Sequence, residues 1–248
     1  MPRESADGFE ADISRFGSTH WSVVRAACGR DDDRAREALA KLCATYWYPL
    51  YAFVRRQGFG PEDAEDLTQG FFAHLLEHEA LATVDQAKGK FRSFLLASLR
   101  HFLAVERQQA RAQKRGGGHA SVPLDAPYAE KRYALELADA ASPDKVFERN
   151  WALALMEQVL DRLRAEQVVL DKRAQFDLLR DCLMGDPDAP RYADLAAKLR
   201  MSEDAMKMAV SRLRRRYRQL LRQEIAHTVS TPAEVEEEIR HLFAALAN

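Results

Sequence analysis

Apolar side chains recur every three or four residues along most of the chain, which is the pattern of helices that bury one face. The first firm segment opens after Asp31 to Asp33 and runs to Arg56, with Pro49 inside it as a kink. A second helix begins at Pro61, a residue that suits the first helical position. A third runs from Lys88 to Arg115 and is apolar early and basic late. The pattern predicts an all-α protein.

The second half of the chain continues this pattern after an interruption. Residues 116–142 are rich in Gly, Ala, Pro and Asp and have little periodicity, so they are predicted to form an extended, flexible linker. Ser142 and Pro143 then begin a helix, and an apolar-periodic segment follows at 167–183. A last helix is predicted at 232–247.

Residues 191–222 predict two helices joined by a tight turn. Ser202 stands where an N-cap acceptor is wanted, and the two acids after it complement the helix dipole. One stripe of the second helix is apolar and is expected to face a core. The other positions point away from it and include Lys207, Met208, Ser211, Arg212 and Arg215. This arrangement is that of a helix-turn-helix with a face suited to the major groove of DNA.

Charge is distributed unevenly in a chain of 248 residues whose formal net charge is only -1. Lys88–Arg115 holds eight basic residues and one acid, and Arg200–Arg222 holds eight basic residues and two acids. A solvated face is the ordinary interpretation of such a run, whereas two separate basic helices favour contacts with phosphates. Cys28, Cys43 and Cys182 lie too far apart to suggest a zinc site, so we expect reduced thiols.

The start of the second helix is strongly acidic, with Glu62, Asp63, Glu65 and Asp66 in its first turns. The helix dipole explains acids at this place, and an acidic exposed helix start suits docking to a basic partner protein. A magnesium site, and with it a metal-dependent nuclease, is the alternative. We expect no catalytic residue, no metal and no cofactor. Because no segment is long and apolar enough for a membrane and no apolar signal region is seen, we expect a cytoplasmic protein without membrane insertion.

Three stretches resemble the extracytoplasmic-function (ECF) branch of bacterial RNA polymerase sigma factors. They read TYWYPLYAFVRR, PEDAEDLTQGFFAHLL and GKFRSFLLASLRHFLAVERQQARAQKR, and the helix-turn-helix follows downstream. The resemblance implies two helical domains, a region 2 bundle and a region 4 helix-turn-helix domain. The limits expected are a disordered N-terminus at 1–18, region 2 at 19–115, the linker at 116–142, region 4 at 143–222 and a C-terminal helical extension at 223–248.

The resemblance also implies roles for particular residues. Docking on core RNA polymerase falls to Asp63, Glu65, Asp66 and Gln69. Contacts with the promoter's -35 element fall to the five exposed positions of the second basic helix named above. Recognition and melting of the -10 element fall to Arg92, Arg100, His101, Arg107, Gln108 and Arg111.

Several positions depart from the family pattern. Phe94 stands for a usual tryptophan, His101 for asparagine and Val105 for aspartate, so the -10 preference does not follow from the resemblance. Arg200 replaces the usual glycine of the helix-turn-helix turn, which must be made without the freedom of glycine at positive φ.

The function expected from the resemblance is promoter-specific transcription initiation, with core RNA polymerase and promoter DNA as partners and no covalent chemistry. An anti-sigma factor is a further partner that it allows. One alternative is a freestanding helix-turn-helix regulator that binds duplex DNA without polymerase. For the last helix, the acidic residues suggest packing on the second domain and shielding of its basic helix; a plain packing helix is the alternative.

Overall fold

The computed structural model describes residues 33–77, 90–112, 126–136, 141–183, 191–229 and 231–247. Within these ranges the chain forms helices and turns and no strand, which confirms the predicted all-α class for the described part. The helices are α1 Asp33–Arg56, α2 Pro61–Glu77, α3 Phe91–Ala112, α4 Ala126–Glu136, α5 Pro143–Val169, α6 Arg173–Leu183, α7 Tyr192–Lys198, α8 Glu203–Ala226 and α9 Pro232–Ala247. The predicted disordered stretch 1–18 lies outside the described residues.

The described residues form two compact units. The first contains the residues up to Ala152 together with those from Ala226 onwards, and the second is Leu153–Ile225. The boundary therefore falls inside α5, ten residues after the predicted start of the second domain at 143. Phe147 and Trp151 of α5 are fully buried. A continuous helix gives no break in the sequence by which this boundary could be predicted.

The core of the first unit is rich in aromatic residues. Helix α1 packs on α2, and α2 packs on α3. Tyr46, Trp47 and Tyr51 of α1 are buried in this core. Pro49 lies inside α1 as predicted. From α3, Phe91 packs edge-on against Tyr46 with ring centroids 5.5 Å apart.

Helix α4 corrects the prediction of an extended linker, because residues 126–136 are helical and pack on α1. Ala129 and Tyr133, one turn apart, are buried. The carboxylate of Glu130 accepts hydrogen bonds from the Tyr51 hydroxyl at 2.6 Å and from Arg55 Nη2 at 2.7 Å. The hydrogen bond from Arg55 holds the pKa of Glu130 below its usual value. Among the α4 residues whose burial is described, these two are too few to give a visible apolar period, and hydrogen bonds, an ion pair and cation–ring contacts with α1 add to the docking.

Helix α9 belongs to the first unit, and its His241 Nε2 lies 3.1 Å from the Glu148 carboxylate of α5, a residue within the range 143–222 predicted for the second domain. Its buried positions are Val235, Glu238 and Leu242, which are three and four residues apart and form one stripe. The Glu234 carboxylate accepts a hydrogen bond from the Thr231 backbone N–H at 3.4 Å and so helps to start the helix. The buried carboxylate of Glu238 needs a counterion, and Arg92 of the first unit supplies it. This requirement is the physical reason why α9 lies in the first unit.

Thiols and possible membrane spans complete the description of the fold. Cys43 and Cys182 are free thiols, and burial raises the pKa of Cys43 to about 11. Cys28 lies outside the described residues. No helix in the described part of the chain has the length and apolar character needed to cross a membrane.

Candidate nucleic-acid interface

The second unit contains the predicted helix-turn-helix. Helix α7 ends with the Arg200 N–H bonded to the Ala197 carbonyl at 3.3 Å and the Met201 N–H bonded to the Ala196 carbonyl at 2.9 Å. These two bonds are those of a Schellman motif, in which the residue after the C-cap is left-handed. Arg200 occupies that position with φ of 52°. The turn thus has the shape that glycine normally provides, although an arginine makes it.

Helix α8 begins at the predicted cap. The Ala205 N–H donates to Ser202 Oγ at 3.2 Å, and Glu203 and Asp204 occupy the first turn. The hydroxyl satisfies one of the amide groups that have no partner within the helix. The start of α8 is therefore fixed by its own sequence.

The two faces of α8 separate as the sequence predicts. The apolar stripe is buried and consists of Met206, Val210, Leu213, Tyr217 and Leu220. Burial raises the pKa of Tyr217 to about 12. The five residues predicted to contact the -35 element are all exposed. Met208, the one apolar side chain among them, is 59% exposed.

Five arginines of α8, between Arg212 and Arg218, divide into two groups that the sequence did not distinguish. Arg214 Nη2 donates to the Cys182 carbonyl of α6 at 2.6 Å, and Arg216 forms two hydrogen bonds with Glu166 of α5, at 2.8 and 2.6 Å. These two guanidinium groups hold α8 against its neighbours. The hydrogen bonds from Arg216 lower the pKa of Glu166.

The other group remains available to a ligand. Among the described residues, Arg212, Arg215 and Arg218 have no hydrogen-bond or ion-pair partner, and all three are exposed. Lys207 differs, because Glu203 one turn earlier lies 2.9 Å from its ammonium group and raises its pKa. Arg218 was not among the predicted contacts, although its spacing of three from Arg215 places both on the exposed face.

The residues predicted to contact the -10 element lie in the first unit, on α3, and they differ in exposure and in their bonding partners. Arg92 is 4% exposed, and its guanidinium bonds to Glu238 of α9 and to Glu148 of α5. It also lies over the Trp151 ring at 4.9 Å from the centroid. A side chain in this position packs within the protein, so the structure does not offer Arg92 to DNA.

The remaining predicted residues of α3 lie at or near the surface. Arg100 pairs with Asp144, and Arg107 Nη2 donates to the Gln57 carbonyl at 3.2 Å while its guanidinium covers the Phe59 ring. His101 and Gln108 are exposed. Arg111 lies on the helix, but its side chain is outside the described residues. Five of the six predicted -10 residues are therefore placed: one is buried and four are exposed, two of these with partners inside the unit.

The acidic start of α2 is exposed at Glu62, Asp63 and Asp66. Glu65 is partly buried and accepts a hydrogen bond from Gln69 Nε2 at 3.1 Å. Burial, and secondarily the charge of Asp66, raises the pKa of Glu65. Exposed carboxylates next to a partly buried amide form a surface on which a cationic partner can dock. No group of three or more His, Cys, Asp or Glu side chains within the described ranges is arranged to hold a metal ion.

Comparison of this chain with known proteins identifies none that it matches, whether among protein-family models, curated proteins or solved structures.

Proposed function

We propose that this protein is an ECF-type sigma factor that acts in the cytoplasm. It binds core RNA polymerase and directs promoter-specific initiation through recognition of -10 and -35 elements and strand opening, without covalent chemistry of its own. The observation that carries the proposal is the helix-turn-helix of the second unit. Its second helix buries one apolar stripe and presents Arg212, Arg215 and Arg218, which have no partner among the residues that the structure describes. Such a face suits the major groove.

Polymerase docking is supported by the surface of the first unit. Asp63 and Asp66 at the start of α2 are exposed, and the neighbouring Gln69 is partly exposed. In the sigma factors that this motif resembles, the residues at these positions contact the polymerase. Their exposure is a requirement for that role.

Contacts with the -10 element fall to the exposed part of α3. We assign them to Arg100, His101, Arg107 and Gln108, because Arg92 is buried. Two of these residues, Arg100 and Arg107, would exchange contacts within the protein for contacts with DNA.

A freestanding regulator that binds duplex DNA without polymerase remains the second candidate. Arg92, Arg100 and Arg107 of α3 already have partners within the protein, and this observation favours the regulator. It leaves the second unit as the better DNA-binding surface. Polymerase binding distinguishes the two proposals.

The experiment is runoff transcription by core RNA polymerase on a library of genomic fragments, with and without the purified protein. A sigma factor yields new transcripts that start at defined positions, and it comigrates with core polymerase in size-exclusion chromatography. A regulator binds particular fragments but produces no starts and does not comigrate. An Arg212→Gln variant serves as the control, because it must reduce the promoter-dependent starts while still comigrating.

A further inference from the structure

A polar groove lies between the two helices of the helix-turn-helix. It has a volume of about 330 Å³. Its walls are Tyr192 from α7 and Lys207, Val210, Ser211, Arg214, Arg215 and Arg218 from α8. We call it the basic groove. It contains four cationic side chains and no acidic one, so an anion is its natural ligand.

The cationic side chains of the basic groove differ in whether they already have a hydrogen-bond or ion-pair partner. Lys207 is bonded to Glu203, and Arg214 donates to the Cys182 carbonyl, so these two are already committed. Arg215 and Arg218 have no partner in the part of the chain that the structure describes. Two unpaired guanidinium groups beside the Ser211 hydroxyl provide the donors that an oxyanion requires.

The position of the basic groove indicates which part of DNA it meets. In a helix-turn-helix the first helix crosses the sugar-phosphate backbone, and the second lies in the major groove. The basic groove borders the first helix through Tyr192. Met208 and Arg212 lie four residues apart on one strip of α8, and neither lines the groove.

We infer that the basic groove binds a backbone phosphate of duplex DNA through Arg215, Arg218 and Ser211, whereas the strip formed by Met208 and Arg212 contacts base edges. The inference rests on the proposed binding of duplex DNA and adds a division of labour within it. Guanidinium groups bind phosphate with two parallel hydrogen bonds. Met208 offers no strong donor to a phosphate, but its exposed apolar side chain suits the methyl group of thymine.

The test compares single neutral substitutions in the full-length chain. A preferred duplex is first selected from a random library, with the chain alone and in the presence of core polymerase. Binding of that duplex and of a scrambled one is then measured as a function of salt concentration for wild type, Arg218→Gln, Arg212→Gln and Arg180→Gln. Arg180 is exposed on α6 outside the groove, so its substitution controls for the loss of one charge.

We expect Arg218→Gln to weaken binding of both duplexes about three- to tenfold and to reduce the slope of log K against log salt by about 0.9, as loss of one phosphate contact does. Arg212→Gln must weaken binding of the selected duplex more than of the scrambled one. Arg180→Gln must leave the salt slope unchanged. Circular dichroism confirms that each variant is folded.

A second measurement locates the phosphate. Neutral methylphosphonates are placed one at a time along the selected duplex, and wild type must lose affinity at one position where Arg218→Gln loses nothing further. An unchanged salt slope in Arg218→Gln, or equal methylphosphonate losses in both proteins, overturns the groove assignment alone. If wild type binds no duplex in either arm, the assignment and the proposed function both fall.

Discussion

Arg92 of α3 and Glu238 of α9 form a buried ion pair across 146 residues of sequence, with Nε and Oε1 2.5 Å apart. Glu238 is fully buried and Arg92 nearly so. Glu148 also binds Arg92, and Lys90 lies 2.9 Å from Glu238. The backbone adds a further link, since the Phe91 N–H donates to the Thr228 carbonyl at 3.2 Å. The start of α3 and the segment leading into α9 are thus joined by charge and by backbone.

The ion pair makes Glu238 important for stability. Glu238→Gln should lower the free energy of unfolding by about 3–5 kcal/mol, because a buried guanidinium loses its main counterion. Glu237→Gln is the matched control: its carboxylate is 60% exposed and also binds Lys90, so its loss should cost less than about 1 kcal/mol. Urea unfolding followed by circular dichroism measures both. Similar losses in the two variants would contradict a buried pair.

Acid should destabilise the protein partly through the same carboxyl group. Burial alone would raise the pKa of Glu238, but hydrogen bonds and charge from Arg92 and Lys90 bring it below its ordinary value of 4.5. A carboxyl group whose pKa is lower in the folded state stabilises that state above its unfolded pKa. That contribution is lost as the pH falls through the folded pKa. Between pH 7 and pH 3, wild type should therefore lose more stability than Glu238→Gln, and parallel pH profiles would refute this.

Arg200 carries a conformational cost in the helix-turn-helix. A residue with a Cβ atom in the left-handed region costs roughly 1–2 kcal/mol, and glycine avoids most of this. With φ of 52° at Arg200, Arg200→Gly should raise the free energy of unfolding by about 1 kcal/mol. Arg200→Ala removes the same charge but keeps the Cβ atom, so it should give no gain. Urea unfolding of the two variants separates conformation from charge.

The two proposed binding surfaces should be separable by mutation. Arg212→Ala should weaken duplex binding by about 1–3 kcal/mol, as expected for loss of a base contact, and should leave polymerase association unchanged. Gln69→Ala should weaken polymerase association and leave duplex binding unchanged. Fluorescence anisotropy with labelled DNA and with labelled protein measures the two affinities. If either change reduced both affinities equally, the division between the units would be wrong.

Local patterns predicted much of the fold, because helices and their caps depend on near neighbours. The Ser202 cap and the buried stripe of α8 could be predicted for this reason. Pairing between α3 and α9 could not, since a periodic pattern does not say which element covers which. A signal was nevertheless present. Arg92 precedes the buried Leu96 by four residues, and Glu238 precedes the buried Leu242 by four, so each charge lies in an apolar stripe and needs an opposite charge.

The residues predicted to contact the -10 element show that a sequence motif alone does not establish which side chains are available at a site. The motif places Arg92 by its position in the sequence, whereas its burial depends on α5 and α9, which lie far downstream. The predicted -35 residues of α8 are exposed as expected, because the exposed face of α8 is set by its own apolar stripe. The roles of Arg214 and Arg216 escaped prediction because their partners, the Cys182 carbonyl and Glu166, lie on other helices.

From the placement of α9 we expect an order of folding during translation that is the reverse of the usual one. Domains commonly fold from the N-terminus as the ribosome releases them. Here Leu153–Ile225 is complete before Glu238 has been made, whereas the unit that begins earlier must wait for its last helix. Until then Arg92 lacks its main counterion, so we expect the first part of this protein to be synthesised to be the last to reach its folded state.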